Sequence, residues 1–227
     1  MENNYLGIVV SSIDHKEKNQ IVSVFTQEGY KSIYVRNAKE YNKGNMGFCM
    51  PFTLVKFASK GNDMQTLVSY EIIESYNYIK DDYFKSLYAY AILFLLKTPH
   101  EVRYDRRIFD FLIKIFNRMK DVDSKKLYSL FLTKMTIIFG GKPHLNDCVI
   151  CNNKMIYDFS IKHGGFVCKT HYSYDNEYLN GTVFKRLYEL DIDGEFFEFD
   201  NDKYFEFIKN YYQKLSLANL YQINKLL

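Results

Sequence analysis

The first 75 residues alternate between apolar and polar positions in short runs, and this period of two predicts five β-strands. Polar or glycine-bearing turns such as DHKEKN, YNKGN and KGND separate the runs. The predicted strands are YLGIVVSSI, QIVSVFT, YKSIYVRNA, GFCMPFTLVKFAS and MQTLVSYEIIES. The fourth run changes phase between Leu54 and Val55, which indicates a bulge or a coiled strand.

After Asp81 the apolar residues recur every three or four positions, which predicts helices. The Asp81-Asp82 pair is a start signal, and Pro99 and Gly140-Gly141 are stop signals. The predicted helices run from Asp82 to before Pro99, from Ile108 to Met119, from Ser124 to Gly140, from Thr182 to Leu190, and from Asp202 to the C-terminus.

These elements predict a multi-domain α+β chain. Five short strands in one segment are typical of a small closed barrel, and the oligonucleotide-binding (OB) barrel is the commonest five-stranded choice. Residues 1–78 are therefore predicted to form an OB-like, nucleic-acid-binding barrel, and residues 79–227 an α-helical domain. A small zinc-binding insertion is predicted at about 143–180.

Three of the four cysteines lie in one segment, CVICNNKMIYDFSIKHGGFVCKTH. Two residues separate Cys148 from Cys151, and two separate Cys168 from His171. Paired knuckles of this kind supply the four tetrahedral ligands of a structural zinc ion, so one zinc per chain is predicted. The residues between the knuckles predict a hairpin that turns at His163-Gly164-Gly165.

Other interpretations of the cysteines stay open. His144 or His163 is an alternative fourth ligand, and unligated surface cysteines are the simplest alternative to a metal site. A catalytic deaminase zinc is not favoured, because four protein ligands leave no coordination position for the water that a deaminase activates. Cys49 lies among apolar strand residues and is interpreted as a core thiol.

The net charge of +3 is unevenly distributed. Residues 79–142 carry 13 basic and 7 acidic residues, and residues 31–60 carry six basic residues against Glu40 alone. Two basic surfaces are therefore expected to meet a polyanion. The residues predicted to bind DNA on the barrel are Lys31, Tyr34, Arg36, Lys39, Lys43, Lys56 and Lys60. The alternatives are a solvated basic face and, for Tyr34, an ordinary half-buried strand tyrosine.

The start MENNYLGIVV lacks a basic segment followed by an apolar one, and no internal apolar stretch approaches the roughly 20 residues that span a membrane. The expectation is a cytoplasmic protein without a membrane contact. Cysteines grouped at metal spacing fit a reducing compartment.

The order of a barrel, helices and a zinc-knuckle pair resembles the RecO family of recombination mediators. Residues 7–35, GIVVSSIDHKEKNQIVSVFTQEGYKSIYV, resemble the family's opening, and MPFTLVKF and TLVSYEIIES resemble its fourth and fifth strands. The Cys-x-x-Cys motif that follows a helix ending in Gly-Gly also matches. Two features depart from the family: the zinc site closes with His171 where Cys is usual, and the loop after the third strand is less basic.

The resemblance implies a non-catalytic protein of DNA repair, recombination and the DNA damage response, acting in the RecF pathway in the bacterial cytoplasm at the nucleoid. It implies binding of single- and double-stranded DNA, annealing of complementary strands, and loading of RecA, together with RecR, onto strands coated by single-stranded DNA-binding protein (SSB). It also implies docking of the acidic SSB tail on the helical domain. Residues hypothesised to flank that groove are Arg103, Arg106, Arg107, Lys114, Arg118 and Lys126. They could instead solvate the outer helix faces or hold DNA.

Two rival functions come from other classes. The first is a zinc-containing OB-fold nucleic-acid-binding or transcriptional regulatory module without annealing activity. A transcriptional regulator would be expected to carry a helix-turn-helix or a dimerisation heptad, and the sequence shows neither. The second is a hydrolytic enzyme, but no Walker loop, Gly-x-Ser-x-Gly or His-Glu-x-x-His motif is present. Asp81-Asp82 is better interpreted as a helix cap.

Overall fold

The computed structural model describes residues 2–40, 44–61, 64–97, 106–138 and 140–215. The chain divides into two compact units, Met1–Lys120 and Asp121–Leu227. The predicted boundary at residues 78 and 79 marks the change from strands to helices. The division into compact units places the helices up to Lys120 in the same unit as the barrel.

The first unit contains a closed five-stranded barrel, which confirms the predicted OB-like architecture. The strand order is β1-β2-β3-β5-β4, with β4 beside β1; β3 and β5 pair in parallel, and all other pairs are antiparallel. The strands are β1 Glu2–His15, β2 Asn19–Thr26, β3 Gly29–Val35, β4 Leu54–Lys60 and β5 Gln65–Glu74.

The fourth strand is shorter than predicted. Met46–Cys49 forms a 3-10 turn, and the strand begins only at Leu54. Phe52 adopts a left-handed backbone with φ of 52°, which an extended strand does not allow. Its ring is buried 4.5 Å from that of Tyr90, so tertiary packing fixes a backbone that apolar alternation cannot predict. The predicted irregularity is present, since the pairing of β4 with β5 shifts register between Leu54 and Val55.

Alternate strand residues fill the barrel. Ile33 and Val35 are fully buried, whereas Ser32 before them is exposed and Tyr34 between them is half-buried, which confirms the predicted alternation of β3. The Phe48 ring, from the 3-10 turn, packs at 5.2 Å from that of Phe57. The other core residues are Val9, Val22, Val24, Ala38, Cys49 and Val55. Cys49 is thus a core thiol as predicted, and burial raises its pKa to about 11.

Three helices complete the first unit: α1 Asn77–Lys80, α2 Tyr83–Lys97 and α3 Arg106–Arg118. The Asp82 carboxylate accepts the Lys85 backbone N–H at 3.0 Å, which confirms the predicted cap. Phe25 of β2 packs against Phe109 of α3, with ring centroids 6.1 Å apart. The helices therefore cover the outer barrel face at this end of β2.

The second unit contains α4 Ser124–Ile138, α5 Tyr178–Glu189 and α6 Asn201–Lys214, together with strands β6 Asp158–Ser160 and β7 Gly165–Val167. Buried tyrosine hydroxyls join α4 to α6. Tyr204 shares a hydrogen bond with Thr133 at 2.6 Å, and Tyr212 donates to the Leu132 carbonyl at 2.7 Å. The predicted C-terminal helix is confirmed as far as Lys214, and its continuation lies outside the described residues.

Strands β6 and β7 pair antiparallel and form the predicted hairpin. Phe159 of β6 is fully buried against Phe207 of α6, with ring centroids 5.3 Å apart. A Cβ atom on Gly181 of α5 would lie 2.7 Å from the Phe159 side chain, so only glycine permits this approach of helix to hairpin. In the parts of the chain that the structure describes, no helix combines the length and apolarity needed to cross a bilayer.

Candidate metal centre and nucleic-acid surface

The two cysteine knuckles meet in the second unit. The ligand atoms of Cys148, Cys151, Cys168 and His171 all lie within 4.8 Å of one another. Cys148 and Cys168 are buried, Cys151 is exposed, and His171 is half-buried. The structure therefore brings together the four residues that the sequence predicts as metal ligands.

The distances within this cluster suit a tetrahedral zinc ion. Zinc bonds of about 2.3 Å to sulfur and about 2.0 Å to nitrogen place two sulfurs roughly 3.8 Å apart and a sulfur and a nitrogen roughly 3.5 Å apart. The Sγ atoms of Cys151 and Cys168 are 3.7 Å apart. His171 Nδ1 lies 3.5 Å from Cys148 Sγ and 3.4 Å from Cys168 Sγ. These three distances therefore fit the ion.

Local backbone bonds shape each knuckle. The Cys148 N–H donates to the Asn153 carbonyl at 2.9 Å, and the Asn152 N–H donates to the Cys148 carbonyl at 2.8 Å. Asn152 has φ of 58°, a conformation that asparagine tolerates better than most residues. In the second knuckle a 3-10 turn over Lys169–His171 places the His171 N–H 3.0 Å from the Cys168 carbonyl.

The hairpin brings the two knuckles together. The Val149 N–H donates to the Phe166 carbonyl at 2.9 Å, so the first knuckle is bonded to β7, which leads directly into Cys168. The Phe166 N–H donates to the His144 carbonyl at 3.0 Å. A Cβ atom on Gly165 would lie 2.6 Å from that carbonyl oxygen, so glycine is required where the two segments touch.

The electrostatics of the cluster favour ionisation of Cys148 and Cys168 but not of Cys151: the Asn153 N–H lowers the pKa of Cys151, but burial and the sulfurs of Cys148 and Cys168 together raise it. Burial opposes ionisation of Cys148, but backbone N–H groups, including that of Cys168, lower the pKa of its thiol to about 6. Burial also opposes ionisation of Cys168, but hydrogen bonds from the backbone and side chain of His171 lower the pKa of this thiol below its usual value. The sulfurs of Cys148 and Cys168 accept hydrogen bonds from the His171 ring and thereby raise the pKa of His171. Because a metal ion binds thiolates rather than thiols, the lowered values favour coordination.

The alternative fourth ligands bond elsewhere. His144 Nε2 contacts the Asp147 carboxylate, and His163 Nδ1 lies 3.1 Å from Ser160 Oγ. Neither histidine belongs to the cluster among the described residues. The geometry therefore favours His171 over both.

Asp158 holds the loop that follows His171. Its carboxylate is almost completely buried and accepts the backbone N–H groups of Phe159 at 2.8 Å, Asn176 at 2.9 Å and Glu177 at 2.8 Å. Three such bonds on one carboxylate satisfy its charge inside the protein. They also tie the loop to the hairpin that carries the metal cluster.

The barrel separates the predicted DNA-binding residues by strand. Tyr34 is half-buried and contacts the His15 ring edge-on at 5.7 Å, and Arg36 follows it at an exposed position. Lys56 and Lys60 are exposed on β4, two strands away across β5. Among the described residues, no acidic side chain lies within ion-pair distance of Arg36, Lys56 or Lys60.

Two of the predicted cations are already paired. Lys39 lies 2.7 Å from the Asp14 carboxylate, and Lys31 lies 3.0 Å from that of Glu28. Lys31 also points to the opposite side of β3 from Tyr34, over the Tyr5 ring. The sequence did not predict these pairings, since both carboxylates are brought near by the strand turns. Lys43 lies outside the described residues.

The residues hypothesised for partner binding do not form one cluster in a single unit. Arg106, Arg107, Lys114 and Arg118 belong to α3 in the first unit, whereas Lys126 belongs to α4 in the second. Arg106 lies 3.5 Å from Asp110, and Lys126 lies 2.9 Å from Glu198. Arg103 is outside the described residues.

One aromatic cluster was missed in the sequence analysis. The rings of Tyr157 and Tyr172 are 5.0 Å apart, and those of Tyr172 and Tyr174 are 4.4 Å apart. The available signal was His171-Tyr172-Ser173-Tyr174, two tyrosines directly after a predicted ligand. Because tyrosine is abundant throughout the chain, these two tyrosines did not stand out in the sequence.

The protein-family models that match this chain divide it in the same way as its fold does, into a barrel and a helical region. The family model described as Recombination protein O N terminal matches residues 1–76, and the model described as Recombination protein O C terminal matches residues 80–181. The two matched segments thus adjoin where the barrel gives way to the helices.

Relatives from several bacteria carry the name DNA repair protein RecO. That of Halalkalibacterium halodurans is 32% identical over 168 residues, which covers 72% of this chain and 66% of the relative. Those of Bacillus mycoides and Bacillus cereus are each 30% identical over 174 residues, which covers 74% of this chain and 70% of the relative.

The fold and the cysteine cluster define a protein with an OB-like barrel followed by a helical region with a candidate metal site. The matched family models and the relatives identify one family within this class. The chain belongs to the RecO family of DNA repair proteins.

Replacing Asp158 tests the loop anchor. We expect Asp158→Ala to lower the free energy of unfolding by about 1–3 kcal/mol, because buried backbone N–H groups lose their acceptors. Asp158→Asn should cost less, since one acceptor oxygen remains. The measurement is urea unfolding followed by circular dichroism. The exposed Glu195→Gln variant is the control and should change stability by less than about 0.5 kcal/mol. Equal effects at both positions would contradict the anchoring role.

Proposed function

We propose that this chain is a recombination mediator of the RecF pathway that acts on nucleoid DNA in the cytoplasm. It binds single- and double-stranded DNA, anneals complementary strands, and with RecR helps to load RecA onto strands coated by SSB. Membership of the RecO family is the observation that carries the proposal.

The barrel supplies a physical basis for strand binding. OB barrels hold single strands by stacking bases on aromatic rings and by pairing phosphates with cations. Tyr34 lies on the outer face of β3 and Arg36 lies at the exposed position just after the strand, so together they offer both contacts. Annealing forms and breaks no covalent bond, so binding and neutralisation of phosphate charge suffice for it.

Helix α3 is proposed as the element that attracts the acidic SSB tail. Arg107, Lys114 and Arg118 are spaced at i, i+7 and i+11 and therefore lie along one stripe of the helix. Opposite charge speeds the encounter with an acidic peptide, while apolar contact holds it. The proposed role of Lys126 is separate, because it lies on a helix of the other unit.

The cysteine cluster is proposed to hold one structural Zn²⁺ per chain. Cys148, Cys151, Cys168 and His171 would be its ligands, and four protein ligands leave no coordination position open for substrate. When bound, the ion supplies cross-linking of the two knuckles rather than Lewis-acid chemistry. The buried sulfurs of Cys148 and Cys168 place this cross-link beside β7.

Annealing is the experiment that tests the function. Complementary fluorescent oligonucleotides, bare or coated with SSB, should anneal faster with zinc-loaded protein than without it. Folded, zinc-loaded protein that binds the strands but leaves their annealing rate unchanged would contradict the mediator role. It would favour the zinc-containing OB-fold module without annealing activity.

Single charge removals test the barrel surface. Arg36→Gln should reduce the slope of log K against log salt for single-stranded DNA by about 0.7, the value of one lost phosphate contact. Lys39→Gln is the matched comparison and should reduce the slope less, because Asp14 already pairs with Lys39. Fluorescence anisotropy at several salt concentrations gives the slopes. No change for Arg36→Gln would remove Arg36 from the site.

Ligand substitutions test the metal proposal. Cys168→Ser should abolish binding of one equivalent of Zn²⁺ or Co²⁺ and lower the thermal midpoint, whereas His171→Cys should retain binding. His144→Ala and His163→Ala serve as controls that keep the metal. Zinc affinity should fall as pH is lowered, because protons compete for the three thiolates and the imidazole. Loss of metal from His144→Ala with retention in His171→Ala would reassign the fourth ligand.

A further inference from the structure

The tyrosine surface, defined as Tyr157, Tyr172 and Tyr174, lies beside the metal cluster and has no role in the metal site. Tyr172 is the central ring, with Tyr157 edge-on at 5.0 Å and Tyr174 tilted at 4.4 Å. Tyr174 is 79% exposed and Tyr157 is 51% exposed. Two largely exposed rings packed on a half-buried third form an aromatic patch of the kind that marks binding sites.

Tyr174 is held in a strained backbone conformation. Its φ is 60°, in the left-handed region that bulky side chains rarely adopt. The ring gains little from burial in return, since most of it faces solvent. Strain of this kind at an exposed aromatic residue points to function, because glycine or asparagine would serve the fold better.

The surface is rigidly supported. Asp158 accepts the N–H groups of Asn176 and Glu177, and Asp175 accepts the Ile161 N–H at 3.1 Å. The Tyr172 hydroxyl donates to Asn176 Oδ1 at 2.6 Å. These bonds fix the tyrosine loop to the hairpin on both sides. The rings are thus presented in a preset arrangement, which reduces the entropy lost on binding.

Three exposed lysines lie close to the residues of the tyrosine surface along the chain. Lys154, Lys162 and Lys169 are exposed, and no acidic side chain within the described residues lies at ion-pair distance from them. Lys154 and Lys169 each lie three residues before a ring of the surface, Tyr157 and Tyr172 respectively. Lys162 directly follows Ile161, whose backbone N–H is bonded to the loop.

The acidic groups of this segment are directed inward. Asp158 is buried on backbone N–H groups, Asp175 accepts from Ile161 and Ser173, and Asp147 contacts His144. Glu177 is half-buried and accepts from Asn180 at 2.6 Å. Three thiolates and a histidine around one Zn²⁺ would carry a net charge of −1. The lysines, not the metal, are therefore the groups that can meet phosphate.

We propose that the tyrosine surface stacks the bases of single-stranded DNA, with Lys154, Lys162 and Lys169 contacting the flanking phosphates. The inference rests on the proposed DNA-binding function and adds a strand contact in the second unit. Aromatic rings accept any base by its π-face, and cations beside them follow the backbone. A duplex hides its base faces, so this surface selects unpaired strand over double-stranded DNA.

The test compares two probes on the full-length, zinc-loaded chain. Anisotropy measures binding of a thymidine oligonucleotide and of an abasic oligonucleotide of equal length. We expect Tyr174→Gly to weaken thymidine binding about fivefold or more, the value of one lost stacked base, and to leave abasic binding unchanged. Its thermal midpoint should not fall, because glycine adopts this backbone without strain. Tyr174→Phe should keep the wild-type thymidine affinity.

Tyr83→Ala is the matched control, because Tyr83 is 74% exposed and belongs to the other compact unit. It should change neither affinity. Photocrosslinking of an iodo-deoxyuridine oligonucleotide to wild-type protein, with peptide mass spectrometry, should recover the peptide that contains Tyr172 and Tyr174. This readout does not depend on the folding of a variant.

Three results would overturn stacking: unchanged thymidine affinity in Tyr174→Gly, an equal loss for both probes, or no crosslink in this peptide. Unchanged affinity would favour a protein partner for the surface. Tyrosine-dependent binding without annealing of SSB-coated strands would support stacking and refute the mediator role. Annealing with tyrosine-independent binding would refute stacking alone. A wild-type protein that binds neither probe would refute both.

Discussion

The pairing of β6 with β7 is the interaction on which the second unit depends. The three consecutive residues of β6 each contact a different part of the unit. Asp158 accepts backbone N–H groups from the loop that carries the tyrosine surface. Phe159 fills the core beneath α6, and Ser160 bonds the turn at His163. Because β7 leads into Cys168 and also binds the first knuckle at Val149, the same hairpin assembles the metal cluster. The core beneath α6, the loop that carries the tyrosine surface and the cysteine cluster are therefore all connected to this one short sheet.

This arrangement separates the roles of metal and surface. Cys148 and Cys168 are buried, which agrees with the proposed role of the cluster as a cross-link within the fold. Tyr172, the central ring of the tyrosine surface, directly follows His171, so the position of this ring depends on that of the cluster. A metal cross-link is a stable support for such a surface, since it holds two chain segments that a two-stranded sheet alone would hold weakly.

In the barrel, charge pairing decides how much of the basic sequence is available to DNA. Lys39 bonds to Asp14, so the loop after β3 carries less free positive charge than its composition suggests, and Glu40 of the same loop is paired with Lys18 at 2.8 Å. Arg36 keeps its charge available to solvent. Exposed pairs of this kind are weak, and phosphate competes with carboxylate for the same cation. Among the described residues of this loop, Arg36 is therefore the cation that can meet a phosphate without first exchanging a partner, whereas Lys39 must give up Asp14.

The sequence alone determined the five strands, the helices, the two knuckles and the alternation of β3, because local periodicity and ligand spacing are properties of neighbouring residues. It also indicated the RecO family. Only the tertiary structure decided that Phe52 leaves the strand, that His171 rather than His144 or His163 joins the sulfurs, and that Asp14 pairs with Lys39. It also brought Tyr157 to Tyr172, fifteen positions along the chain. Each of these depends on contacts between residues whose approach is set by the folded hairpin or barrel, which no local pattern encodes.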